Sequence, residues 1–73
     1  MAEMPDELKK LVDVATDMVL PMKVRNDTVK YIGDIGTREA LLALLELAAN
    51  EKLTKNEREQ ALKYAKNIIK SGN

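Results

Sequence analysis

Apolar residues recur at intervals of three and four from Leu8 onward, through Leu11, Val12, Ala15 and Val19, the spacing of one face of an α-helix. Pro5 suits a first helical position, and Asp6 and Glu7 suit the positive end of the helix dipole. A first helix is therefore expected over about Pro5–Val19, stopped by Pro21. A second is expected over about Met22–Asp34, with Val24, Thr28, Tyr31, Ile32 and Ile35 on one side. Gly36 is its left-handed terminator and Thr37 caps the next helix. The third helix, about Arg38–Asn50, is polar only at Arg38, Glu39, Glu46 and Asn50. It should be the buried centre, with Leu41, Leu44, Leu45 and Ala48 the most deeply covered residues. After a connection at Glu51–Leu53, Thr54-Lys55-Asn56-Glu57 has the spacing of a capping box and opens a fourth helix to about Lys70. Its apolar stripe is Ala61, Leu62, Tyr64, Ala65, Ile68 and Ile69, and Lys63, Lys66, Asn67 and Lys70 form its solvated side. No stretch alternates with a period of two, so the class is all-α.

A shift of 33 residues lays the chain on itself without a gap: Leu8, Leu11, Ala15, Leu20, Arg25, Lys30, Tyr31 and Ile35 fall on Leu41, Leu44, Ala48, Leu53, Arg58, Lys63, Tyr64 and Ile68. Val12/Leu45, Asp13/Glu46, Val14/Leu47 and Val29/Leu62 match in kind. Each half is one supersecondary unit, about 5–37 and about 38–70, within a single domain spanning 5–73. Residues 1–4 and 71–73 are expected to be flexible ends. The flanks of the two first helices set an expected stacking order. Val14 and Met18 of helix one should meet Leu42 and Ala49 of helix three, leaving Lys9 and Thr16 at the free amino-terminal end. Leu47 is then left over beside Ala40 and Ala43, either covered by helix four or exposed as a patch for a second chain.

Neither half has the Thr-Pro-Leu-His opening of an ankyrin repeat or the Trp, Leu-Gly and Tyr positions of a tetratricopeptide repeat. The central stretch instead reads Val24-Arg25, Thr28-Val29, Tyr31-Ile32-Gly33-Asp34-Ile35-Gly36 and Glu39-Ala40-Leu41-Leu42-Ala43-Leu44-Leu45. It resembles the short HEAT-like repeats named after phycobilisome lyases. The resemblance implies two tandem α-hairpins in a right-handed α-α superhelix. It also implies an arginine, at Arg25 and Arg58, that ties a helix start to a neighbouring unit's loop. The second unit departs from the repeat: Glu57 stands for the valine before Arg58, and Lys66 and Ile69 stand for the two glycines. The lyase activity of the namesakes does not follow from the fold.

With no cysteine and no histidine, disulfides, thiolate metal sites and imidazole chemistry are excluded. Twelve basic side chains balance twelve acidic ones, so no global field steers the protein to nucleic acid or to an anionic membrane. Glu3 near the start, with no apolar run after it, points to a cytoplasmic protein without a signal sequence or a membrane span. Gly33-Asp34-Ile35-Gly36 has the Gly-x-x-Gly form that clamps nucleic-acid backbone in KH domains, but Asp34 would repel phosphate and no strands accompany it. It reads as a helix terminator. Asp13 and Asp17 lie one turn apart but lack a third oxygen ligand, so no metal or cofactor is expected. No nucleophile has an activating partner at helical spacing, and no catalytic residue is assigned.

The repeated Lys30-Tyr31 and Lys63-Tyr64 pairs lie at equivalent positions of the two second helices. One assignment packs both tyrosines against the core beside solubilising lysines. The other is a recognition ridge of Asp27, Lys30, Asp34, Lys63, Lys66 and Asn67, whose mixed charge suits a protein partner. The expected function is a small protein-interaction module without enzymatic activity, its partner a protein, with a homodimer through Leu47 as the accompanying expectation. The alternative is nucleic-acid binding through Lys30, Lys63, Lys66 and Lys70.

Overall fold

A computed structural model describes residues 5–72, and the expectations for residues 1–4 and for Asn73 lie outside them. The fold is all-α: α1 (Asp6–Ala15), α2 (Met22–Ile35), α3 (Arg38–Ala48) and α4 (Lys55–Gly72). α1 and α2 form one antiparallel hairpin and α3 and α4 a second. The hairpins meet through α3, which touches α1 and α2, and through α2, which touches α4; α1 and α4 do not meet.

The element ends follow local chemistry. α1 stops at Ala15, short of the expected Val19, because Thr16 Oγ1 donates to the Val12 carbonyl (2.9 Å) and the Asp17 carboxylate accepts from Val19 N–H (3.0 Å). Pro21 then biases Leu20 away from helical geometry. Gly36 ends α2 at φ 69°, a left-handed conformation open to glycine, and Thr37 Oγ1 accepts from Ala40 N–H at 3.1 Å to start α3. The capping box is formed in both directions. Thr54 N–H donates to Glu57 Oε1 (3.0 Å), and Glu57 N–H donates to Thr54 Oγ1 (3.2 Å). α3 ends at Ala48, short of Asn50, whose side chain accepts from Lys52 N–H to shape the turn. α4 runs on through Ser71 to Gly72, with Ser71 Oγ donating to the Asn67 carbonyl.

The core gathers Leu8, Ala15, Val29, Ile32, Ala40, Ala43, Leu44, Leu47, Leu53, Ala61, Ala65 and Ile68. Leu44 is fully buried as expected, whereas Leu41 and Ala48 are half-buried and Leu45 is 40% exposed. On α2 the buried face is Arg25, Val29 and Ile32; Val24 and Tyr31, expected inward, are exposed. The expected stacking order is reversed. Leu42 and Ala49 face solvent, and the flank of Ala40, Ala43 and Leu47 is the one buried. Two alanines on that flank let α3 come close to its neighbours, while Glu7 and Lys10, the matching residues of α1, stay in solvent. Leu47, at 1% exposure, is therefore a core residue, and the expectation of self-association through it is overturned.

Candidate functional site

Two contacts fix how the hairpins join. Arg25 Nη1 donates to Glu57 Oε2 at 2.7 Å and to Met18 Sδ at 3.3 Å, with both ionic side chains buried. Glu57 thus closes the cap of α4 with one oxygen and holds a cation of the first hairpin with the other. A Cβ on Gly33 would lie 3.0 Å from Tyr64 Cβ, so the missing side chain is what lets α2 and α4 approach there. The repeat position of Arg25 implies a tie between units. Its partner lies in the departure from the repeat, Glu57 in the place of Val24.

Burial compared across the 33-residue shift exposes an asymmetry. Leu8, Ala15, Arg25 and Val29 are buried between the hairpins. Their counterparts Leu41, Ala48 and Arg58 are half-buried, and Leu62 is 40% exposed. The same flank that the second hairpin covers on the first is open on the second. An open groove of about 300 Å³, lined by Ala48, Lys55, Arg58, Glu59 and Leu62, lies there between the end of α3 and the start of α4. Arg58 Nε is buried in it without a hydrogen-bond partner, and the one ion pair among the described residues is Arg25–Glu57. The opposite end of the molecule is more polar: Glu7, Lys10 and Thr28 stand where the second hairpin has Ala40, Ala43 and Ala61.

All six residues of the expected ridge are exposed, on the outer sides of α2 and α4. Lys63, Lys66 and Asn67 line a groove of about 520 Å³ along α4 together with Lys70, Glu59 and Leu62; Asp27, Lys30 and Asp34 stand apart from it. The two tyrosines part company: Tyr64 packs on Gly33 at the hairpin junction, whereas its counterpart Tyr31 is 52% exposed at the free amino-terminal flank. Among the described residues no group of three His, Cys, Asp or Glu side chains converges on a point, and no helix is long and apolar enough to cross a membrane. The open flank was expected on the wrong residues: Leu47 beside Ala40 and Ala43 is buried, and Leu41, Leu45, Ala48 and Leu62 form the open face. The signal for it was present: Glu7/Ala40, Lys10/Ala43 and Thr28/Ala61 mark which flank of a unit faces a neighbour.

The chain matches no protein-family model, no curated protein and no solved structure.

Proposed function

We propose that the protein is a small, non-catalytic protein–protein interaction module of the cytoplasm, built on two HEAT-like repeats. The repeat assignment is supported by the 33-residue shift, which carries α1 onto α3 and α2 onto α4. The observation that carries the function is the set of large aliphatic side chains left in solvent on the second hairpin: Leu42, Leu45, Leu62 and Ile69 are 40–57% exposed. Met18, Val19, Met22, Val24 and Tyr31 are exposed on the first hairpin and its connection too, so exposure alone does not single out this face. Leu62 does, because its repeat counterpart Val29 is buried, and an apolar position left uncovered in this way marks a place where another protein is bound. The test is affinity capture from the source organism with the parent and with a Leu45→Glu/Leu62→Glu variant, followed by reconstitution with the purified partner. A partner that binds the parent saturably supports the reading. If neither chain binds any purified candidate, the module reading fails.

A second reading rests on Lys63, Lys66 and Lys70 sharing one groove on α4, which offers three cations to a phosphate backbone. Lys30, the fourth lysine expected in this role, stands apart from it, and Glu59 lies within it. Titration of DNA and RNA at low and at moderate salt decides: phosphate contacts give an affinity that falls steeply with salt, and no binding at low salt removes this reading.

A further inference from the structure

The outward flank of the second hairpin repeats the surface on which that hairpin itself sits. Leu8, Ala15 and Val29 lie under the second hairpin, and Arg25 is met there by Glu57. Their counterparts form the open flank, where Arg58 has no ion pair among the described residues and a groove lies beside it. We propose that this flank binds an α-helical hairpin of a second protein, docked as the chain's own second hairpin docks on its first. Such a hairpin presents small apolar side chains to Leu41, Leu45, Ala48 and Leu62, and a carboxylate to Arg58. The proposal deepens the interaction-module reading and rests on it.

Charge and shape narrow the partner. Lys55 and Lys66 stand on the same flank as Arg58, and Glu51 and Glu59, which take the repeat places of Met18 and Asn26, do not pair with it. Arg25 Nε is likewise buried without a partner while its Nη1 holds Glu57, so the partner's carboxylate is expected on an Nη of Arg58, in the same one-point contact. Lys66 stands where Gly33 admits Tyr64 in the first hairpin. The partner's second helix therefore carries a small or acidic residue, not an aromatic one, two turns after its carboxylate. A second copy of this chain docking head to tail fits poorly. It would bring Glu7 and Lys10 against Leu41 and Leu45, and would place Val24 where Glu57 is needed.

The test uses the full chain as receptor and, as probe, a fluorescein-labelled peptide with the sequence of residues 38–72 carrying Tyr64→Ala, which keeps the Ala40, Ala43, Leu47 and Glu57 pattern and removes the ring that Lys66 would exclude. Saturable binding is expected. It should weaken about tenfold when the probe carries Glu57→Gln, which retains a cap acceptor and loses the charge. Binding should vanish when the receptor carries Leu45→Glu with Leu62→Glu, and an Arg58→Glu receptor should regain affinity for a Glu57→Lys probe. Binding indifferent to all of these changes, or no binding by a probe that circular dichroism shows to be helical, overturns the proposal. Because the free peptide can fail to fold, a chain with residues 38–70 repeated once more after Lys70, the added Tyr64 counterpart made Ala, serves as the second measurement. It is expected to melt above the parent and to lose that gain when the added Glu57 counterpart is made Gln; an unchanged melting temperature counts against the proposal. A dimer of the parent in sedimentation that Leu62→Glu dissolves assigns the flank to self-association and also overturns it. A natural partner that binds at the lysine ridge, unaffected by Leu45→Glu/Leu62→Glu, sinks this proposal while leaving the module reading intact.

Discussion

Glu57 serves two unrelated structures with its two oxygens, so its replacements separate them. Glu57→Ala removes the cap acceptor and leaves the Arg25 cation buried without its partner, a change that costs about 3–5 kcal/mol in comparable sites. That is a large share of the roughly 4–11 kcal/mol available to a chain of this length. Glu57→Gln keeps an acceptor for Thr54 N–H and should cost less, and Arg25→Met combined with Glu57→Gln should recover most of the loss, all read by urea denaturation. Equal losses for Gln and Ala would show that the cap contributes nothing. Gly33 makes a second case in which local and tertiary preferences oppose. Alanine favours a helix interior by about 1 kcal/mol, yet its Cβ would meet Tyr64 Cβ, which is fixed to the α4 backbone, at 3.0 Å. Gly33→Ala is expected to destabilise the parent, and its penalty should shrink by about 0.5 kcal/mol or more in a Tyr64→Gly background, where both the Cβ and the ring contacts are gone. An additive double mutant would mean that the two helices do not depend on this close approach.

The helices themselves were legible because their ends are written in short-range chemistry. Pro21, Thr37 and the Thr54/Glu57 box sit where their backbone roles require them, so the starts of α2, α3 and α4 agree with expectation, and Gly36 ends α2. The end of α1 was less legible, since Thr16 and Asp17 form side-chain bonds to the backbone that compete with helix continuation and leave no apolar signature. Faces were harder to read than ends. An apolar stripe shows which residues favour burial, but where the stripe is wide, as on α3, the neighbouring helices decide which part of it is covered. Hence Leu44 and Leu45, adjacent and chemically identical, have opposite fates. Leu44→Ala should cost about 2–5 kcal/mol, whereas Leu45→Ala should stay within about 1 kcal/mol, as measured by thermal or urea unfolding. Similar losses at both positions would contradict the placement of α3. The recognition ridge was legible only as exposed residues; whether they act together depends on helix spacing that no stripe encodes.

The two ends of the assembled molecule differ in kind, and the difference lies in which repeat positions were made polar. At the amino-terminal flank Glu7, Lys10 and Thr28 replace the alanines that the second hairpin buries, as suits an end unit with a solvated outer face. At the carboxy-terminal flank Leu41, Ala48 and Leu62 keep the apolar character of their buried counterparts and Leu45 that of half-buried Val12, with Lys66 and Ile69 as the departures. If the polar substitutions are what prevents one molecule from stacking on the next, reversing them should create the missing complement. In a Glu7→Ala/Lys10→Ala/Val24→Glu/Thr28→Ala/Tyr31→Ala variant, Val14 already occupies the place of Leu47, and Tyr31→Ala removes the ring that Lys66, in Gly33's repeat place, would not admit. The carboxylate introduced by Val24→Glu would then face Arg58 of the neighbouring molecule as Glu57 faces Arg25. The contact is heterologous and does not close on itself, so the variant is expected to form open head-to-tail oligomers that lengthen with concentration, while the parent does not. Sedimentation velocity over a concentration series measures this, and adding Leu62→Glu to the variant should return it to a single species. A variant that stays monomeric while keeping its helicity would show that repeat register alone does not determine what the open flank accepts.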